Sequence, residues 1–518
     1  MTWPLRAHRF APVPLPSNAV FSIRGYAILC DDERELLPLL AIGNSAVFDF
    51  IFKLALGRFG FPEYVVGVLQ KLPLPDIADD LAQSLSVQAR QAWAAKRMLD
   101  TIQPTSHTFA LPAILAELGE TLTGCAAAWS ARVSTSQETV AAIQAEIDDV
   151  TFRLYGLNDA DRVALTTALA TESTGDAEAE ASEEESEVTT ADASALSSDL
   201  LAYVLGTAFG RWDIRFATGE NPVPELPDPF EPLPVCPPGQ LQNEQGLPVT
   251  KEEVERRKEE GRWDYPIEIP WDGILVDDLS HPLDLEARVH QVLQVIWKDR
   301  WEAIEREAGE ILGVRTLRDY FRKPTGFFAN HLKRYSKSRR QAPIYWPLQT
   351  PSGSYTLWLY YHRLNDQTLY TCVNDFVEKS KLCEITEQLN VLRIKTNQSK
   401  QEEKDLERLL DLEQELKDFR DELLRMAKFW KPNLNDGVQI TAAPLWKLFQ
   451  HKPWQKTLKE TWDRLEHGDY DWAHLAYSIW PDRVREKCKH DKSLSIAHGL
   501  EYLYEEPPAQ AKRGRARK

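Results

Sequence analysis

Residues 312–363 read LGVRTLRDYFRKPTGFFANHLKRYSKSRRQAPIYWPLQTPSGSYTLWLYYHR. From Arg315 to Arg340 this stretch holds nine Lys/Arg and one acid, Asp319, inside a chain whose net charge is −18. Tyr320, Phe321, Phe327, Phe328 and Tyr335 are interleaved with the cations, and Tyr345, Trp346, Tyr355, Trp358, Tyr360 and Tyr361 follow. Two readings follow from the residue types. Clustered cations neutralise phosphates and release counterions, and aromatic rings stack on exposed bases. Alternatively, an amphipathic helix presents a solvated basic face and leads into a hairpin whose aromatics are core. Either way the stretch is helix followed by strands, which sets the expected class as α+β and mostly helical.

The run HLKRYSKSRRQAPIYWPLQTPSGSYTLWLYYHR (331–363) resembles a segment in the C-terminal half of PglX-type adenine-specific DNA methyltransferases of BREX phage-defence systems, relatives of the type IIG restriction-modification enzymes. Further runs resemble the same family in the same order. They are LLAYVLGTAFGRWDIR (200–215), YPIEIPWDGILVDD (265–278), NDGVQITAAPL (435–445) and YDWAHLAYSIWPDRVREKCKHDKSLSIAHG (470–499). At the N-terminal end, an apolar helical run (37–56) broken by Gly43-Asn44-Ser45 precedes FPEYVVGVLQKLPLP (61–75). That order is similar to the target-recognition region of type IIG and type I enzymes. Taken alone, Asn44 reads as a helix interruption or cap.

The length predicts several domains. Residues 1–76 form a small mixed, target-recognition-like segment, in which runs 20–23 and 26–29 around Arg24-Gly25 predict a hairpin. Residues 77–170 are a helical spacer, with apolar three-and-four spacing over 83–102 and 138–155. Residues 171–193 carry nine acids and no Lys or Arg, a composition expected to stay disordered. Residues 194–312 are helical with a Pro-rich connector, and 313–376 are the basic and aromatic region, with a strand-like piece at 367–373. Residues 377–428 predict a helical hairpin or coiled coil, 429–504 a helical C-terminal cap, and 505–518 a basic tail. No Rossmann-like methyltransferase domain is expected.

The six cysteines are scattered with no CxxC pair, which predicts reduced thiols and neither a disulfide framework nor a zinc site. No apolar run approaches a membrane span, so the expected location is the cytoplasm. Asp471, His474, His490 and His498 lack a third ligand at metal spacing and read as core or surface residues. Pro481-Asp482 with Glu486-Lys487 lies near a metal-nuclease pattern, but its Lys comes one position early in a helical context.

An N6-adenine methyltransferase needs a Gly-rich cofactor loop and an [ND]-P-P-[YFW] tetrapeptide that grips the flipped base. Neither occurs: Asn221-Pro222 is followed by Val223, and Asp228-Pro229 by Phe230. The resemblance therefore implies the DNA-recognition, accessory part of such an enzyme, inactive alone. Its partners are expected to be double-stranded DNA, a separate catalytic chain carrying S-adenosylmethionine, or other phage-defence components. No cofactor, metal or catalytic residue is assigned to this chain. The residues expected to contact DNA are Arg315, Arg318, Arg322, Lys323, Lys333, Arg334, Lys337, Arg339 and Arg340, with Tyr335, Tyr345 and Trp346 as stacking groups. The competing readings are a protein–protein scaffold of a phage-defence complex and a non-functional gene fragment.

Overall fold

The computed structural model describes residues 1–22, 25–30, 32–117, 119–172, 192–225, 227–337, 340–395 and 399–506. Most of the acidic stretch (173–191), Arg339, most of the basic tail (507–518) and the centre of the turn expected near 390–400 lie outside the described residues. Two units are present. One comprises Met1–Tyr203 with Trp212–Glu253, the other Val204–Arg211 with Val254–Lys518. The architecture is mostly helical with small antiparallel sheets, in line with the α+β expectation. Among the described residues, no single helix is long and apolar enough to cross a membrane.

In the first unit β1 (Thr2–Pro4) pairs antiparallel with β2 (Gly25–Ala27). Ile23 and Arg24, within the hairpin expected around Arg24-Gly25, lie outside the described residues, and Gly25–Ala27 pairs with the N-terminal strand. Trp3 is buried at 1% exposure whereas Val20 is 98% exposed, so burial favours the distant pairing. Helices α1 (Glu33–Gly43) and α2 (Ala46–Leu56) break at Asn44-Ser45. The Asn44 amide donates to Pro12 O and Leu40 O, both at 2.9 Å, and the Ser45 side chain caps α2 by accepting from Phe48 N. Asn44 is thus a helix-interruption residue. Asp49 accepts from Phe10 N and from the Tyr64 hydroxyl and pairs with Lys53, all buried beneath a cluster of Trp3, Phe10, Phe52 and Tyr64. Two long helices, α3 (Asp79–Asp100) and α4 (Leu122–Leu154), pack together. The second begins well before the start predicted at 138, carried by the buried stripe Leu122, Cys125, Trp129 and Val133.

The second unit is built on a three-stranded antiparallel sheet of β3 (Ile274–Val276), with helices α5 (Leu285–Trp297), α6 (Trp301–Leu312), α7 (Leu317–Arg322) and α8 (Phe327–Arg334) before the next strands. A two-stranded ribbon follows, β4 (Ser336–Lys337) with β5 (Arg340–Gln341), and then β6 (Tyr345–Gln349) and β7 (Thr356–Tyr360). The order in the three-stranded sheet is β3-β7-β6, with Tyr345 opposite Tyr360 and Leu275 opposite Trp358. Every residue of the three strands is buried, so they show no inside–outside alternation, and the buried polar pair Gln349 and Thr356 satisfies itself by a 3.0 Å bond.

Residues 367–373, expected as a strand, are helical. Thr368–Thr371 starts a helix that continues as a π-helix over Cys372–Leu382. Leu369, Cys372 and Val373, three and four residues apart, bury their side chains in helical register. Helix α9 (Cys383–Ile394) then packs on α10 (Lys400–Ala427) as a helical hairpin. A capping box between Ser399 and Glu402 starts α10, and Leu409, Leu416, Phe419, Leu423 and Met426 form its buried stripe. A 16-residue helix (Lys452–His467) and several short ones complete the C-terminal region. There the Asp436 carboxylate accepts from His474 N and Leu475 N, His498 Nε2 lies 2.6 Å from Asp471 O, and buried Asp471 pairs with Arg483 and Lys487. These residues hold the short helices together.

Candidate nucleic-acid interface

Helix α7 is started by Thr316, whose side chain accepts from Asp319 N. Its inner side buries Leu317, Arg318, Tyr320 and Phe321. Four residues, Lys323-Pro324-Thr325-Gly326, connect it to α8. Gly326 is required there, since a Cβ would sit 2.1 Å from Tyr320 O. The inner face of α8 is Phe327, Phe328, His331 and Leu332. The Phe327 ring packs edge-on against Trp358 at 5.5 Å, and Phe328 lies 6.1 Å from Phe449. His331 Nε2 accepts from Ile344 N and Tyr345 N, which ties α8 to the start of β6. Burial holds this imidazole well below its ordinary pKa, with Arg211 and Arg334 adding to the effect, so the ring stays a neutral acceptor.

The cations expected to contact DNA divide by burial. Arg315, Arg322, Lys323, Lys333, Lys337 and Arg340 are exposed and Arg334 is half-buried, all between α7 and the β4–β5 ribbon. Arg315 lies 3.7 Å from Asp319 at an exposed pair of negligible strength. Arg322 keeps an exposed edge but binds Asp277.

Three of the expected contacts are corrected. Arg318 is buried and grips Asp284 through two parallel bonds of 2.7 and 3.0 Å, Glu286 at 2.8 Å, and Asp277. Burial opposes its charge, but the surrounding carboxylates outweigh burial and push its pKa up. It is an internal strut between the β3–α5 connection and α7. Tyr345 and Trp346 are 1% and 0% exposed, so neither ring can reach a base. Tyr345 stacks on Phe209 at 5.5 Å, and the Trp346 indole N–H donates to Pro343 O at 2.7 Å. Tyr335 is half-buried and accepts from Arg211 Nη1 at 2.6 Å while packing on His331. Arg339 lies outside the described residues.

Protein-family models and curated proteins alike contain no match to this chain.

Sequence reasoning missed one residue of the exposed surface. Asn330 is exposed on α8, one turn before Lys333, and its Nδ2 donates to the Tyr320 hydroxyl at 2.9 Å. The available signal was phase, since on a helical wheel Asn330 lies beside Lys333 at the margin of the buried Phe327, Phe328, His331 set. The acids that take up Arg318 were also missed, because they lie 32 to 41 residues upstream.

Elsewhere, Glu286, His290 and Glu305 bring ligand atoms within 4.8 Å of one another. Both Glu286 oxygens already accept from Arg318, and His290 is bonded to Glu305 at 2.9 Å, so the group acts as structural pairing. The first unit has a cavity of about 610 Å³ lined in part by Arg9, Asn44, Trp93, Lys96 and Arg97. Arg9 donates to Asn44 O and Arg97 pairs with Asp100, which leaves its wall mainly apolar.

Proposed function

We propose that this chain is the DNA-recognising, accessory part of a site-specific N6-adenine DNA methyltransferase of the PglX or restriction-modification type. S-adenosylmethionine and the reacting adenine would be held on a methyltransferase domain outside these 518 residues. The observation that carries the reading is that the runs resembling that family, widely separated in sequence, pack on one another. Gly210 lies against Ile269, Tyr360 N donates to Gly273 O at 2.8 Å, and the Asp436 carboxylate accepts from His474 N at 2.9 Å and Leu475 N at 2.8 Å, while the Tyr361 hydroxyl donates to Leu434 O, the residue just before the 435–445 run. These segments share one core, and the exposed cations of 315–340 stand outside it. Such a patch on a chain of charge −18 suits a polyanion.

A second reading has its own observation. Val391 and Ile394, at the end of α9, are 70% and 81% exposed. Apolar residues in that position suit a scaffold docking another phage-defence component through the helical hairpin.

The deciding experiment is titration of the purified chain on duplex DNA across a salt series. The expected result is a log–log slope of about −0.9 per phosphate contacted. Combining Lys323→Glu, Lys333→Glu and Arg340→Glu should weaken binding by about tenfold or more and flatten the slope by roughly 2 to 3. Absence of salt-dependent binding by the wild type, or binding indifferent to the triple change, would reject the DNA reading and favour the scaffold.

A further inference from the structure

The exposed cations sit on a particular piece of architecture. Helices α7 and α8 are joined by four residues closed by Gly326, whose missing Cβ lets the chain pass against Tyr320 O. Two short helices joined by a 3–4-residue turn containing glycine are the signature of a helix-turn-helix, in which the second helix enters the major groove. Here α6 precedes the pair and packs on α7, completing three consecutive helices. The sheet β3-β7-β6 backs α8, which buries Phe327, Phe328, His331 and Leu332 against it and its surroundings. The outward face of α8 is then Asn330 and Lys333, with half-buried Arg334 beside them. Immediately beyond the helix, Lys337 and Arg340 face each other across the β4–β5 ribbon. Arg315 and Lys323 flank α7, the position from which a first helix meets the phosphate backbone.

We infer that α7 and α8 form a helix-turn-helix that seats α8 in the DNA major groove, where Asn330 reads adenine and Lys333 reads guanine. The inference rests on the DNA-binding reading above and adds which element enters the groove and which side chains touch bases. A helix about 10–12 Å across fits a groove about 12 Å wide. An asparagine amide matches the N6 amino group and N7 of adenine, and a lysine matches O6 and N7 of guanine. The Tyr320 hydroxyl accepts one N–H of Asn330. That bond restrains the amide and leaves Oδ1 and the second N–H to form the acceptor-and-donor pair that adenine requires. Lys323, Arg315, Lys337 and Arg340 contribute phosphate contacts that set register without carrying sequence information.

The test is selection of bound duplexes from a random library by the full chain, in wild-type, Asn330→Ala, Asn330→Asp and Lys333→Ala forms matched for thermal unfolding. The wild type should enrich a motif. Asn330→Ala should lose about tenfold preference at one adenine and keep its salt slope. Asn330→Asp should shift that position toward cytosine, whose amino group a carboxylate accepts, a gain that misfolding cannot mimic. Lys333→Ala should relax one guanine, and N7 methylation of that guanine should block wild-type binding. If the wild type binds and enriches a motif that all three variants retain, the helix assignment is wrong while DNA binding stands. Binding with no motif at all overturns base reading in the same way. A wild type that does not bind DNA defeats the DNA reading itself, and the inference with it.

Discussion

At the scale of single residues, Arg318 shows how composition misleads. In sequence it is one of nine cations in a basic run, yet its guanidinium is spent on Asp277, Asp284 and Glu286. Removing one member of a buried charge network leaves the others uncompensated, which costs about 3–5 kcal/mol. Arg318→Ala should therefore lower the denaturant midpoint by that equivalent in urea unfolding, whereas Lys323→Ala, at an exposed position, should change stability by less than about 0.5 kcal/mol. His331 makes a second residue-scale prediction. Burial depresses its folded pKa well below 6.5, so below that pH the unfolded chain binds a proton that the folded chain refuses. Stability is complete above pH 6.5 and falls as the pH drops toward the folded value, by at most about 1.4 kcal/mol per pH unit from this group. Urea midpoints at neutral and mildly acidic pH should show that slope, and His331→Gln, whose amide oxygen can accept from Ile344 N and Tyr345 N, should reduce it.

At the scale of elements, the turn between α7 and α8 is the sensitive joint. Gly326→Ala would place a methyl 2.1 Å from a backbone carbonyl, and backbone cannot rotate away as a side chain can. The expected loss is about 1–3 kcal/mol, read as a lowered thermal midpoint, together with weakened DNA binding because α8 is displaced relative to α7. Unchanged stability and binding in Gly326→Ala would mean the close approach is not needed. The same element scale explains what could be read in advance. Helices with a clean apolar period, such as α3 and α10, were legible from spacing alone. Short strands were not: residues 25–27 pair with residues 2–4 across a long loop, and 367–373 went helical. Strand pairing is decided by distant partners, and a short apolar run carries no period to separate helix from strand.

At the scale of the whole molecule, charge and core give complementary information. A net charge of −18 repels DNA at long range, so any binding must come from a local patch and must weaken steeply with salt. The exposed members of the 315–340 run supply such a patch on the second unit. Each unit has its own buried aromatic core, with Trp3, Phe10, Phe52 and Tyr64 in the first and Tyr345, Trp346, Trp358 and Tyr360 in the second. Aromatics beside a basic run are thus poor evidence for base stacking, because rings of this size dominate cores by area.

Sequence by itself determined the mostly helical class, the placement of the long amphipathic helices, the local reversal of charge over 315–340, and the lack of an adenine-gripping tetrapeptide. These are properties of neighbouring residues, set by period, propensity and count. Tertiary structure alone decided which cations face outward, that Tyr345 and Trp346 are core, that Arg318 is a strut, and that Asn330 shares a face with Lys333. Those properties depend on which distant segment covers which face, and burial of apolar area by remote strands outweighs any local preference.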